Sequence, residues 1–230
     1  MTLIVLLLTS CGQRASQDSL STLPEDSYAP REYAASKQHS PCSLPKGFYS
    51  LREYADALIR LQEKISATSP GSVERVISER EFFELFPTTF DCYYHLYGAM
   101  GSLLEQYSLD HVETLFSMHS IDAQKFVTRL IGLALHGTWE ADGVGYLSFN
   151  LLTHLSNSLP QYVEQLSAYS DTEILSFWYF LYDGPHPDDP EFQRIFQELY
   201  SQCKTLNPRV AGLMRQAYEK LLSEKRCSGH

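Results

Sequence analysis

Residues 207–222 read NPRVAGLMRQAYEKLL, and this segment carries the clearest helical signal in the chain. Its apolar residues recur at the three- and four-residue spacing of one face of an α-helix. They are Val210, Leu213, Met214, Ala217, Tyr218, Leu221 and Leu222. Asn207 suits the position before a helix, and Pro208 suits its first position because that N–H has no partner within a helix. The segment predicts a helix with one apolar face.

The sequence before this segment repeats the same signals. Ser50 and Glu53 match the capping box, in which a hydroxyl and a carboxylate satisfy free backbone N–H groups at a helix start. The pattern recurs at Ser170 and Glu173. From residue 50 onward we expect an irregular array of about ten helices with short connections and no sheet, which is an all-α fold. Successive helix pairs span roughly 27–37 residues, so stacked helical hairpins are one arrangement that fits.

Glycine and proline predict finer boundaries. We expect one helix over residues 88–107, in which Gly98 and Gly101 allow close packing against a neighbouring helix; close approach of a ligand is the alternative. Pro160 suits a first helical position and predicts a separate helix on each side of it.

The chain begins with a short apolar run that ends at a cysteine. Residues 3–8 are apolar, and Thr9 and Ser10 precede Cys11. The sequence Leu8-Thr9-Ser10-Cys11 resembles the lipobox of bacterial lipoproteins, although no Lys or Arg precedes the apolar run. The resemblance implies that residues 1–10 are a signal peptide and that Cys11 is acylated and becomes the new amino terminus.

Membrane attachment would follow from that lipidation. The run at residues 3–8 is too short to cross a bilayer, which takes about 20 apolar residues. Several acyl chains on Cys11 would hold the protein firmly, since a single chain binds only marginally. In the lipoprotein family, an Asp after the cysteine favours the inner membrane of many Gram-negative bacteria, and Gly12 stands there instead. The resemblance therefore implies a cell-envelope location, on the outer membrane facing the periplasm where two membranes exist.

Residues 11–49 are predicted to form the lipidated cysteine and a flexible tether. The segment is rich in Ser, Pro, Gln and Ala and has no sustained apolar period. Its root-mean-square reach would be roughly 35 Å. The predicted organisation is thus signal peptide (1–10), tether (11–49) and a single all-helical domain (50–230).

The composition narrows the classes of partner. The formal net charge is −10, which argues against nucleic acid and fits either solubility or a basic protein partner. If Cys11 is lipidated, Cys42, Cys92, Cys203 and Cys227 remain, and in an oxidising compartment they allow three pairings. The sequence leaves the pairing open. Cys203 lies on the apolar face of its predicted helix, so a buried thiol is the alternative for that residue.

Motifs for catalysis are missing from the sequence. It contains no Gly-x-Ser-x-Gly, no phosphate-binding glycine loop and no cysteine or histidine spacing typical of zinc. We therefore assign no catalytic residue and predict neither a metal site nor a cofactor. The histidines are read as surface or hydrogen-bonded residues.

Two loops have the composition of binding loops. Residues 136–143 and 183–189 combine histidine and acidic residues with glycine, and loops held by rigid helices often carry binding residues. The binding candidates are Trp139, Glu140, Asp142 and His186. Three predicted helices separate the loops, so an alternating up-and-down arrangement would place them on opposite edges of the domain.

Aromatic residues supply two further candidates. The chain has fifteen tyrosines, and consecutive aromatic residues on one helix cannot all face inward. We expect Tyr94 and Tyr179 to be exposed, and tyrosine suits protein interfaces as well as ordinary cores.

Together these features favour a lipid-anchored envelope lipoprotein that acts as a protein-binding or scaffold module. An immunity-type antagonist that neutralises a toxin in the periplasm is one alternative. A second alternative is an envelope hydrolase that uses Glu140, Asp142 or His136. The lack of a catalytic motif favours binding over catalysis.

Overall fold

The computed structural model describes residues 42–98, 101–139, 143–184 and 187–228, with side chains up to Glu224. Every element in these ranges is helical, so the predicted all-α class is confirmed. Four of the predicted site residues lie outside the described residues: Cys11, Glu140, Asp142 and His186.

The described ranges contain nine α-helices. Their bounds are α1 Leu51–Ala67, α2 Val73–Leu85, α3 Phe90–Tyr93, α4 Ser108–Phe116, α5 Ala123–Ala134, α6 Gly143–Leu166, α7 Asp171–Tyr182, α8 Pro190–Leu206 and α9 Pro208–Ser228. A π-helical turn over Tyr94–Gly98 and a 3₁₀ turn over Glu105–Tyr107 lie between α3 and α4. None of the described helices has a stretch long and apolar enough to cross a membrane.

Local capping signals set several helix starts. The Ser50 hydroxyl accepts a hydrogen bond from the Glu53 N–H. The Ser170–Glu173 capping box is complete, with the hydroxyl bound to the Glu173 N–H and the carboxylate bound to the Ser170 N–H. Pro208 is the first residue of α9, as its sequence position predicts. These starts follow the sequence because each depends on residues within one turn.

The predicted single helix over residues 88–107 is wrong. The α-helix stops after four residues, continues as a π-helical turn and is followed by Gly101 in the left-handed region, with φ of 77°. At Gly98 a Cβ would lie 2.5 Å from the Tyr94 ring and 3.1 Å from Val144 Cγ2, so the close-packing interpretation is confirmed there. Gly101 has open space around it, and its role is the turn.

Helix α6 contains the break that Pro160 predicts. Ser158, with φ of −136° and ψ of 24°, is not helical, and it separates two helical segments within α6. Pro160 lies at the start of the second segment, where its missing N–H costs no intrahelical hydrogen bond. The separate helices predicted on each side of Pro160 are therefore confirmed, and with α7 three helical segments lie between the two candidate loops.

The core is built mainly from aromatic side chains. α7 packs along α9, α8 packs on α9, and α1 pairs with α2, while α6 contacts α4, α5, α7 and α8. The largest fully buried side chains are all aromatic: Trp178, Tyr54, Tyr93, Tyr97, Tyr162, Tyr182, Phe82, Phe83, Phe86, Phe90, Phe177 and Phe180. Burying one such side chain contributes about 1.5–3 kcal/mol. Five of the fifteen tyrosines thus belong to the core in this set.

Three arginines stabilise helix ends. Each donates hydrogen bonds to backbone carbonyls at or just beyond a helix C-terminus, where the helix dipole has its partial negative charge. They are Arg75 at the end of α1, Arg129 at the end of α2 and Arg209 just after α6.

The cysteine pairing is resolved in part. Cys42 forms a disulfide with Cys92, and their Cα atoms are 4.3 Å apart. The centroid of the Phe48 ring lies 5.5 Å from that of Tyr54, and Cys42, Leu44 and Phe48 pack against the core. Cys203 is a buried free thiol whose pKa is raised to about 12 by burial, which makes it unreactive.

Candidate functional site at the loop junction

The two candidate loops meet in the structure. The Trp139 N–H donates to Asp183 Oδ2 at 3.0 Å, and the His136 N–H donates to Ser176 Oγ at 2.6 Å. The expectation that the loops lie on opposite edges is therefore wrong, because these contacts join them. We call His136, Trp139, Ser176, Tyr179 and Asp183 the loop junction.

A tight turn begins the first loop. The Gly137 N–H donates to the Ala134 carbonyl at 3.2 Å, and Leu135 has φ of −60° and ψ of 129°. His136 follows with φ of 62°, at the position of a type II turn where glycine is preferred. The His136 side chain is exposed, so no packing contact explains why a side chain occupies this conformation.

The glycine next to it is required by packing. A Cβ on Gly137 would lie 2.6 Å from the Phe180 ring and 2.8 Å from the Phe90 ring. Phe90 and Phe180 contact each other with ring centroids 5.4 Å apart, and Tyr94 stacks on Phe90 at 6.1 Å. Tyr94 is half-buried and is linked to the loop junction through these two phenylalanines.

Tyr179 lies one turn before Asp183 on α7. Its hydroxyl donates to Glu224 Oε2 at 2.6 Å, and the Lys220 ammonium lies 5.0 Å from its ring centroid. Burial, and then the bond to Glu224, raises the pKa of Tyr179. Tyr179 is half-buried, so it is less exposed than expected from the sequence.

The structure thus places three of the predicted binding residues near the contact between the two loops. The Trp139 N–H binds the Asp183 carboxylate, Tyr179 lies one turn before Asp183, and Tyr94 stacks on Phe90. Sequence reasoning did not single out Asp183 or Ser176. Asp183 opens a loop that composition had marked, whereas Ser176 lies inside a helix and carried no signal.

An exposed aromatic pair follows the first loop. Phe149 is 71% exposed and Tyr146 is 38% exposed, both on the first turns of α6. The apolar face of α6 contains Leu147 and Leu151, and Phe149 is two residues from each, which is about 200° around the helix. That offset was a usable signal, and the sequence analysis missed it.

A hydrogen-bonded tyrosine–histidine pair is buried in the core. The Tyr97 hydroxyl lies 2.9 Å from His111 Nδ1, and both side chains are fully buried. Within the described part of the chain no hydrogen-bond partner reaches His111 Nε2, and the His111 ring contacts Phe82 and Tyr107. Burial lowers the pKa of His111 to about 4.

The described side chains form no cluster of three or more His, Cys, Asp or Glu residues that would hold one metal ion. Comparisons of the chain with models of protein families, with curated proteins and with solved structures gave no match.

Proposed function

We propose that this protein is a bacterial envelope lipoprotein, anchored through Cys11, whose helical body binds another protein. The disulfide between Cys42 and Cys92 is the observation that carries the export half of the proposal. Disulfides persist in oxidising compartments such as the periplasm and are rare in the cytosol. The lipobox supports the lipid anchor, and Gly12 supports an outer-membrane location facing the periplasm.

The surface aromatic residues support protein binding. Phe149 and Tyr146 present apolar surface on α6, and Trp139 and Tyr179 lie half-buried at the loop junction. Aromatic side chains are enriched among the residues that contribute most to protein interfaces. Because the net charge is −10, the best-matched partner has a basic surface.

The two alternative functions stay predictions. An immunity-type antagonist would use the same surface against a basic toxin. A hydrolase would need His136 or the neighbouring acidic residues to act on a substrate. Neither has an observation of its own among the described residues.

Site-specific crosslinking tests the binding surface. A photo-crosslinking amino acid would replace Phe149 in the full chain expressed from its native locus, and Leu206 on α8, 47% exposed, would carry the same probe as a control. We expect a discrete crosslinked protein from position 149 and none from position 206.

The matching substitutions measure the contribution of the surface. We expect Phe149→Ser to reduce capture of that partner at least tenfold, because interface aromatic residues often contribute about 2 kcal/mol or more. Leu206→Ser should leave capture unchanged. Equal losses from both variants, or no crosslink from position 149, would contradict binding through this face.

A further inference from the structure

A groove lies between the end of α4, the start of α5 and the kink of α6. Its volume is about 350 Å³, which is in the range of small-molecule sites. Its walls are mixed in polarity, and their larger apolar side chains are Phe116, Met118, Ile121, Phe126 and Val127. It is about twice the size of the roughly 150 Å³ apolar cavity that holds one benzene molecule.

His154 supplies the defined polar group of this groove. Its Nδ1 lies 2.8 Å from the Tyr162 hydroxyl. Tyr162 is fully buried, burial raises the pKa of its phenol, and His154 is its hydrogen-bond partner among the described residues. The phenol therefore stays protonated, and its O–H donates a hydrogen bond to Nδ1. The imidazole hydrogen is then on Nε2.

That tautomer gives the groove an N–H donor. His154 is half-buried and lines the groove, and no protein acceptor binds its Nε2 among the described contacts. The Phe126 ring lies 5.1 Å from the imidazole and holds it from one side. A ligand oxygen at Nε2 would thus be bound beside the Phe116 and Phe126 rings, where a partly desolvated hydrogen bond is strengthened.

The charge of the groove differs from that of the molecule. The described lining residues include two histidines, His119 and His154, and no Asp or Glu. The cavity beside the disulfide, in contrast, is lined by Glu84 and Asp91. In a chain with a net charge of −10, this groove is a place where an anion meets no carboxylate on the wall.

We propose that the groove binds a free small molecule that has an apolar body of about eight or nine carbons and one carboxylate. The apolar body lies against Phe116, Phe126 and Val127, and a carboxylate oxygen accepts the hydrogen bond from His154 Nε2. Charge-assisted hydrogen bonds are roughly twice as strong as neutral ones, so the carboxylate is preferred over an alcohol of the same shape. This site is independent of the proposed protein-binding face.

The test uses 3-phenylpropanoate and its neutral analogue 3-phenylpropan-1-ol. The protein is the full chain with Cys11→Ala, so that the result does not depend on a lipid anchor or on detergent. Long-range ¹H–¹⁵N spectra of the imidazoles report the His154 tautomer and its shift during titration. We expect an Nε2–H signal for free His154, submillimolar binding of the acid and at least tenfold weaker binding of the alcohol.

Two variants and a control locate the site. His154→Leu removes the donor and should weaken acid binding at least tenfold. Ala123→Trp adds bulk at the exposed mouth of the groove without touching the His154–Tyr162 pair, and it should abolish binding even if the first variant folds poorly. His119→Gln changes the other histidine and should alter affinity less than threefold. Equal affinity for acid and alcohol, undiminished binding in Ala123→Trp, or no shift at His154 would overturn the proposal.

Discussion

The same pair of side chains occurs in two regions of the molecule with different surroundings. Tyr97 binds His111 Nδ1 at 2.9 Å, and Tyr162 binds His154 Nδ1 at 2.8 Å. The first pair is sealed among aromatic rings, including Phe82, whereas the second opens onto the groove at the α6 kink. A histidine–tyrosine pair thus forms part of the core in one place and part of a binding surface in the other, according to what covers the free nitrogen.

The two histidines differ in how strongly burial acts on them. Burial lowers the pKa of His111 to about 4, and it lowers the pKa of half-buried His154 as well. The sealed ring has lost its contact with water, while the open ring keeps part of it. Three kinds of change test this difference: truncating a side chain next to each histidine, lowering the pH, and removing each tyrosine hydroxyl.

Truncating the aromatic side chain next to each histidine should have the largest effect on the free energy of unfolding. Phe82 is fully buried against His111, so Phe82→Ala should reduce the free energy of unfolding by about 3–5 kcal/mol. Phe116 is half-buried and lines the groove, so Phe116→Ala should cost less than about 2 kcal/mol. Urea unfolding at pH 7 measures both. Equal losses would mean that the groove is as closed as the core.

Lowering the pH should have the next largest effect on the free energy of unfolding, through the buried His111. The folded-state pKa of His111 lies below its ordinary value of 6.5, so folding favours the neutral ring. The stability that the neutral His111 ring contributes is fully present above about pH 6.5 and falls as the pH approaches 4. From pH 7 to pH 5 the free energy of unfolding should drop by about 2 kcal/mol because of His111.

A double variant isolates that titration. Tyr97→Phe with His111→Leu replaces both partners, which avoids leaving a buried polar group unpaired. The pH 7 to pH 5 drop should then shrink by most of those 2 kcal/mol. His154→Leu serves as the comparison and should change the pH profile less. The assignment fails if the double variant keeps the wild-type slope.

Removing one tyrosine hydroxyl should have the smallest effect on the free energy of unfolding. The two histidine–tyrosine pairs should again lose different amounts. Tyr97→Phe leaves His111 Nδ1 buried without a partner and should cost about 1–3 kcal/mol. Tyr162→Phe should cost about 1 kcal/mol, because water in the groove can reach the half-buried His154. Matched urea titrations of the two variants decide the order, and a larger loss from Tyr162→Phe would reverse the comparison.

The helix starts were predictable because they depend on neighbours in sequence. Ser170 and Glu173 lie within one turn of each other, and the structure shows the capping box that their spacing predicts. The start of a second helical segment at Pro160 was predictable for the same reason, and the break at Ser158 confirms it. How the two segments lie relative to each other depends on packing against other helices, which a local pattern does not contain.

The loop junction and the histidine pairs depend on contacts between distant residues. The hydrogen bond from the Trp139 N–H to Asp183 Oδ2 spans 44 residues and joins the two candidate loops. Tyr97 and His111 are 14 residues apart across a π-helical turn and a left-handed glycine. The sequence supplied the residue types for these sites, but their meeting follows from the tertiary fold.

Export and attachment through Cys11 are tested most directly by the intact mass of the protein isolated from cells that express it at its native locus, beside a Cys11→Ala variant. We predict that the native protein lacks residues 1–10, carries acyl mass on Cys11, partitions into detergent and contains the Cys42–Cys92 disulfide, while the variant carries no acyl mass. A protein that keeps Met1, bears no acyl group and has free thiols at Cys42 and Cys92 would contradict the proposed envelope function.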